Sequence, residues 1–338
     1  MGVQGIRGQT GRRVLRECVD GILLLDKPRG LSSNDALVRA RRLLNARKAG
    51  HGGTLDPMAE GLLPLMFGEA TKFAGDALDA DKTYVAELTL GAVTDTGDAE
   101  GAVLARRPVD VDETSFRAAC ADFVGAIDQV PPMHSALKRD GKPLYEYARA
   151  GIVLERPARR ITLHAIEVLE LALAAASPRA VIRVACSKGT YIRVLAADIG
   201  ERLGCGAYLS GLRRERVGPL SVANAIGLAE LEALSEADRR ARLAPVDALL
   251  IGLPRVDLDR QAGERFGNGQ RLPAERIATA IAGLPRDNGP LPVRVRVYSD
   301  ARLLGLASWR NRVLAPVRLI ACRSGAEPVP DGRSQAAG

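Results

Sequence analysis

Asp56 closes a glycine-dense segment, Gly50-His51-Gly52-Gly53-Thr54-Leu55-Asp56-Pro57. Three glycines in four positions let a backbone approach a ligand closely. Pro57 biases Asp56 away from helix, toward an extended or turn conformation, and His51 and Thr54 add polar groups beside it. A carboxylate held in this way over a bulky substrate could serve as a nucleophile or as an acid–base group. The same pattern also describes an ordinary Gly-rich turn whose aspartate caps the next helix, and spacing alone leaves both readings open.

The elements that must position this loop follow from hydrophobic periodicity. GILLLDKP predicts a buried strand over Gly21–Leu25, closed by Asp26-Lys27-Pro28. Ser32 or Ser33 can N-cap a helix on which Ala36, Leu37, Ala40, Leu43 and Leu44 share a stripe, and that helix runs into the loop. GLLPLMFGEATKF, after the loop, is apolar enough for the core. Lys82–Leu90 alternates, with Tyr84, Ala86, Leu88 and Leu90 on one face. Gly91–Gly101 reads as a polar turn region and Asp112–Gly125 as a helix. QVPPMHSALKRDGKPLYEYARAG reads as an exposed insertion with a short helix. Arg160–Leu169 and Ala180–Cys186 read as strands and Tyr191–Leu203 as a helix. Arg193, at the start of that helix, opposes the helix dipole and calls for an anionic partner, either Asp56 or a phosphate. The whole is α+β, with a mixed or antiparallel sheet. Near Leu250 the pattern changes to short strand-like runs, a small β-rich unit over 253–322. Residues 1–18 read as a flexible basic extension and 323–338 as a disordered tail.

Composition narrows the function. The 338 residues carry a net charge of +8 with an apolar fraction of 46%, a mean hydropathy of −0.02 and a pI near 9.5. No apolar run is long enough to span a bilayer, and the first residues do not form a signal peptide. The chain therefore reads as cytoplasmic. Five scattered cysteines, no CxxC pair and three histidines argue against a disulfide framework or a structural metal. The basic residues cluster as Arg39, Arg41, Arg42, Arg47 and Lys48, as Arg156, Arg159 and Arg160, and as Arg213, Arg214 and Arg216. Such clusters suit a polyanion, since each phosphate contact releases counterions.

Seven segments in order carry a resemblance: GILLLDKPRGLSSNDAL, GHGGTLDPMAEGLLPLMFGEATKF, DKTYVAELTLG, TDTGDAEG, QVPPMHSALKRDGKPLYEYARAG, CSKGTYIRVLAADIGERLGCGAYLSGLRR and the C-terminal β unit. Together they resemble the tRNA pseudouridine synthase B family over roughly Cys18–Cys322. The resemblance implies a mainly antiparallel mixed sheet with flanking helices as a catalytic domain (19–250), an RNA-gripping insertion at about 126–152, and a PUA-like domain at 253–322. It implies isomerisation of a T-loop uridine of tRNA, by a monomer, with no cofactor, metal, membrane or guide RNA. Asp56 matches the catalytic aspartate, Tyr84 the tyrosine that stacks on the target base, and His51 a histidine near the flipped nucleotide. Tyr191 and Leu212 match the uridine pocket, Arg193 the partner of the carboxylate, and Lys27 a motif that supports the active-site loop. Position 52 departs from the family, being glycine where threonine is frequent, which implies a looser loop.

Overall fold

The computed structural model describes residues 16–284 and 291–321. The extension before Arg16 and the tail from Cys322 lie outside the described residues. The chain divides into two compact units, Met1–Ile251 and Gly252–Gly338.

The first unit is built on one mixed sheet. Along it the strands run Ile226–Gly227, Gly21–Lys27, Glu60–Phe67, Ala207–Val217, Lys82–Leu90, Arg179–Cys186, Arg159–Ala172 and Gly125–Gln129. Two neighbouring pairs are parallel, Gly21–Lys27 with Ile226–Gly227 and Glu60–Phe67 with Ala207–Val217; the other neighbours along this path are antiparallel. The strand Lys82–Leu90 alternates buried and half-buried along its length, as its period-2 pattern requires, and Tyr84, Ala86, Leu88 and Leu90 face the core. Glu60–Phe67 is buried almost throughout, so it reads as a continuous apolar run.

The helices Ser33–Leu43 and Ile192–Arg202 pack apolar stripes, Ala36, Ala40 and Leu44 from the first and Ile192, Leu195, Ala196 and Ile199 from the second, into the same core. The segment after Gly91 is only partly a turn: Ala92–Thr94 pairs with Val103–Arg106. The insertion folds as a short hairpin, Lys138–Arg139 with Lys142–Pro143, and the helix Leu144–Arg149. Of the expected flexible extension (1–18), residues 16–18 are described. Glu17 bonds through its backbone N–H to Asn45 O at 2.8 Å, and its carboxylate takes Asn45 Nδ2 at 3.1 Å and Arg240.

The second unit is a five-stranded sheet in the order Arg255–Leu258, Val293–Ser299, Arg302–Arg310, Val313–Leu319 and Leu272–Pro273. It closes around Phe266, Val295, Val297, Trp309 and Leu314. It also holds the helix Arg260–Gly267, capped by Asp259, which the strand-like pattern of the sequence did not announce.

Candidate active site

The Asp56 loop leaves the short strand Ala49–His51 and enters Glu60–Phe67 at the seam where that strand meets Ala207–Val217. Its shape is held by hydrogen bonds from several elements. Gly52 N–H donates to Pro64 O at 2.9 Å, Gly30 N–H to Pro57 O at 2.8 Å, and Ala59 N–H to Asp56 O at 3.1 Å. Of the two serines able to cap the first helix, Ser32 does so, accepting from Asp35 N–H at 3.1 Å. Ser33, buried, grips the loop instead: its Oγ accepts Leu55 N–H at 2.7 Å and donates to Leu55 O at 3.0 Å. Gly52 is packed tightly in the loop. It is buried, and a Cβ there would stand 2.6 Å from Ala77 Cβ and 3.0 Å from Met66 Cε. Neighbouring side chains fill the space that a side chain at 52 would take.

Asp56 looks onto a cavity of about 480 Å³, within the range of a small-ligand pocket. Ser32, His51, Thr54, Asp98, Ser135, Tyr145, Arg149 and Arg193 are among its other lining residues. The Asp56 side chain is 40% exposed, and its Oδ2 lies 3.0 Å from Nη2 of Arg193, whose side chain is 6% exposed. Arg193 sits on the first turn of its helix, where a cation is disfavoured. Two carboxylates and two carbonyls offset that cost. Nη2 also donates to His134 O at 2.6 Å, while Nη1 donates to Thr96 O at 3.2 Å and lies 3.5 Å from Asp98 Oδ2. Asp98 is buried, and its Oδ1 accepts Thr96 Oγ1 at 2.6 Å and Glu100 N–H at 3.1 Å. The helix start is fixed in turn by buried Gln129, which accepts Tyr191 N–H at 2.8 Å and donates to Tyr191 O at 3.1 Å.

His51, Asp56 and Arg193 thus meet on one cavity, whereas Tyr84, Tyr191, Leu212 and Lys27 are not among its lining residues. Tyr84 is 9% exposed, and burial pushes its hydroxyl pKa up against the pull of Arg214. Burial does the same to Tyr191. Leu212 is half-buried against the core, in register with Ala86. Lys27 is fully buried, its Nζ donating to Pro28 O at 2.9 Å and Leu31 O at 2.8 Å, and burial lowers its pKa to about 8. Burial, and to a lesser degree the Arg214 charge, lower the His51 pKa and so favour its neutral imidazole.

The third basic cluster is largely engaged within the protein. Arg214 is 1% exposed. Arg213 pairs with Asp26 at 2.7 Å and with Glu60 at 3.2 Å. Only Arg216 of the three is exposed. In the second cluster Arg159 and Arg160 are exposed, and the Arg159 charge reaches Tyr191. Sequence reasoning missed Asp98 and Gln129, and it gave Ser33 and Arg214 other roles, as a helix cap and as a basic-cluster residue. Asp98 lay in a segment counted toward the resemblance, but it read only as a turn residue. A larger cavity, about 740 Å³, lies in the second unit, lined by Arg255, Asp257, Asp259, Glu275 and Arg276 among others. None of the residues singled out for chemistry is there.

The family models and the fold together place the chain among the pseudouridylate synthases. A chain of the crystal structure of a Cbf5–Nop10–Gar1 complex superposes with a TM-score of 0.66 at 28% identity, covering 89% of this chain and 84% of that one. A chain of the archaeal box H/ACA sRNP Nop10–Cbf5 complex gives 0.64 at 25% identity, covering 90% and 86%. More narrowly, the chain belongs to the TruB family. The model of the TruB family pseudouridylate synthase N-terminal domain matches residues 41–192, that of the tRNA pseudouridylate synthase B C-terminal domain 193–251, and that of the pseudouridine synthase II TruB C-terminal region 254–320. The tRNA pseudouridine synthase B of Ralstonia pickettii (strain 12J) is 59% identical over 307 residues, covering 90% of this chain and 95% of that protein. Its counterpart in Burkholderia mallei (strain ATCC 23344) is 58% identical over 309 residues, covering 91% and 96%.

Proposed function

We propose that this chain isomerises a uridine in the T-loop of tRNA to pseudouridine, in the cytoplasm, with Asp56 as the essential group. The observation that carries the reading is the Asp56 carboxylate at the cavity, with one oxygen held 3.0 Å from a buried arginine. The reaction breaks N1–C1′, turns the uracil and joins C5 to C1′, a redox-neutral change that consumes no phosphate energy. A carboxylate serves it as a nucleophile at C1′ or at uracil C6, or by promoting glycosidic cleavage and removal of a sugar proton. Every route needs the anion in a fixed place. Arg193 holds Oδ2 and leaves Oδ1 for substrate.

The target base must leave its stack, at a cost of a few kcal/mol, to reach that oxygen. We assign Tyr84 to stacking on the base, worth roughly 1–3 kcal/mol, and His51 to the space beside it. By their places in the family's motifs Tyr191 and Leu212 are assigned to the uridine pocket and Lys27 to holding the chain near the loop, although none of the three lines the Asp56 cavity as it stands. Arg149 on the cavity and the exposed Arg159 are the phosphate contacts that would orient the stem-loop. The second unit, about 253–322, would add grip on the RNA.

A second reading is synthesis directed by a guide RNA, favoured by the likeness to chains from Cbf5 complexes. One experiment decides between them. The protein alone is incubated with an unmodified tRNA transcript and no guide RNA, and pseudouridine is mapped. Conversion at a single T-loop uridine supports the proposal. No conversion without a guide refutes it.

A further inference from the structure

Arg214 lies at the seam of the sheet, opposite Gly61 on one neighbouring strand and Tyr84 on the other. The seam is tight: Gly61 has φ +99°, and a Cβ there would stand 2.4 Å from Arg214 O. The guanidinium is buried, and among the described residues it meets no carboxylate. Its Nε donates to Leu62 O at 2.7 Å and its Nη2 to Gly53 O at 3.2 Å, and across the strand pair it stands in register with Tyr84. Gly53 is three residues before Asp56. A buried cation without an anionic partner is costly, and a purely structural seam would be served by an apolar side chain of similar volume.

We propose that Arg214 is a positioning residue for the uridine isomerisation: bonded to the Gly53 and Leu62 carbonyls and paired in register with Tyr84, it fixes the loop carrying Asp56 against the strand carrying Tyr84. This rests on the reaction proposed above. Burial raises the Tyr84 pKa, and the Arg214 charge works against that rise, which makes the hydroxyl a better proton donor than burial alone would leave it. The same fixed charge acts on the other groups around it. Lys27 comes from the first strand of the sheet, His51 from the short strand before the loop, and Lys82 from the Tyr84 strand, and each has its proton affinity lowered in part by Arg214. Asp56 and Glu60 oppose it at Lys27, and Cys186 faces Tyr84 and Lys82.

The test compares Arg214→Gln, which keeps a donor and loses the charge, with Arg214→Lys, which keeps the charge and loses the fork. Single-turnover pseudouridine formation at saturating tRNA, tRNA affinity at two salt concentrations and the His51 pKa by NMR are measured. Arg214→Gln should slow the single turnover about tenfold to a hundredfold, the loss of a charged hydrogen bond. Affinity should stay within about twofold, and the His51 pKa should rise. Arg214→Lys should leave the His51 pKa depressed and retain more of the rate. An unchanged rate in Arg214→Gln, an unmoved His51 pKa, or weaker binding with a salt slope reduced by about one at unchanged rate, as for a phosphate contact, overturns the proposal. If Arg214→Gln does not fold, Arg214→Lys is measured in wild-type and Tyr84→Phe backgrounds. A smaller cost in the second supports action through Tyr84, and additive costs overturn it. If wild-type protein forms no pseudouridine the reaction assignment fails, while the His51 titration still decides whether Arg214 sets the local charge.

Discussion

Two carboxylates share Arg193, and they should fail in opposite ways when neutralised. Asp98 lies 3.5 Å from Nη1 with its side chain 6% exposed; Asp56 lies 3.0 Å from Nη2 with 40% exposed. At an effective dielectric of about 20, the Asp98 pair is worth about 5 kcal/mol before desolvation. Truncating one member of a buried pair costs about 3–5 kcal/mol. Arg193 keeps Asp56 and two carbonyls, so the lower end applies, about 3 kcal/mol for Asp98→Asn. At about 2–4 °C per kcal/mol for a unit of this size, Tm should fall by about 6–12 °C. The solvent-screened Asp56 pair contributes under about 1 kcal/mol, so Asp56→Asn should lower Tm by less than about 4 °C. Rates should rank the other way. Asp56→Asn should abolish single turnover with tRNA binding nearly intact, whereas Asp98→Asn should lose about one to two orders of magnitude through a less rigid Arg193. Calorimetry and far-UV circular dichroism are the assays for stability, because the sole tryptophan, Trp309, belongs to the second unit. Equal losses of Tm, or a larger loss for Asp56→Asn, would refute the division of labour.

Three other outcomes are expected. Tyr84→Phe should fold normally and lose most turnover, while Tyr84→Leu should also lose the stacking surface; full activity in Tyr84→Phe would leave the hydroxyl without a role. Burial lowers Lys27 and Lys82 from 10.5 to about 8, so between these values the unfolded chain binds more protons and stability should rise with pH. Urea unfolding across that window should show the rise flattened in Lys27→Met, and an unaltered slope would count against burial as the cause. Truncation after Ile251 should weaken tRNA binding and lower its salt slope, by about one for each phosphate that the second unit neutralises. A short T-arm stem-loop should suffer less than full-length tRNA, and unchanged affinity and slope in a folded truncated protein would remove the gripping role from the second unit.

What the sequence made legible follows from local physics. The Lys82–Leu90 alternation and the stripe from Ile192 to Ile199 are short-range patterns that one buried face imposes, and the dipole argument alone called for an anion beside Arg193. Asp98 escaped because its partner is 95 positions away and Asp is common in turns for local reasons. Arg214 escaped because a run of Arg213, Arg214, Glu215 and Arg216 reads as a solvated surface. Burial of the second arginine alone is set by the register against Gly61 and Tyr84, which no local pattern contains. The helix Arg260–Gly267 was hidden by its brevity among strand-like runs, although Asp259 is a capping residue and Ala262, Gly263 and Phe266 are its buried face.

The close approach at Gly52 makes the loop non-transplantable. Ala77 Cβ stands 2.6 Å from where a Cβ at 52 would be, so a threonine grafted there from a relative would collide before it could alter any chemistry. The short helix Ala74–Asp79 that carries Ala77 would have to move, or Ala77→Gly be introduced first, for such a graft to be accommodated. The two positions are expected to be coupled, a threonine at 52 costing more stability with Ala77 in place than after Ala77→Gly, which thermal melts of the single and double variants would show. Chimeras that exchange the loop between relatives therefore need to exchange residues 50–59 and 74–79 together.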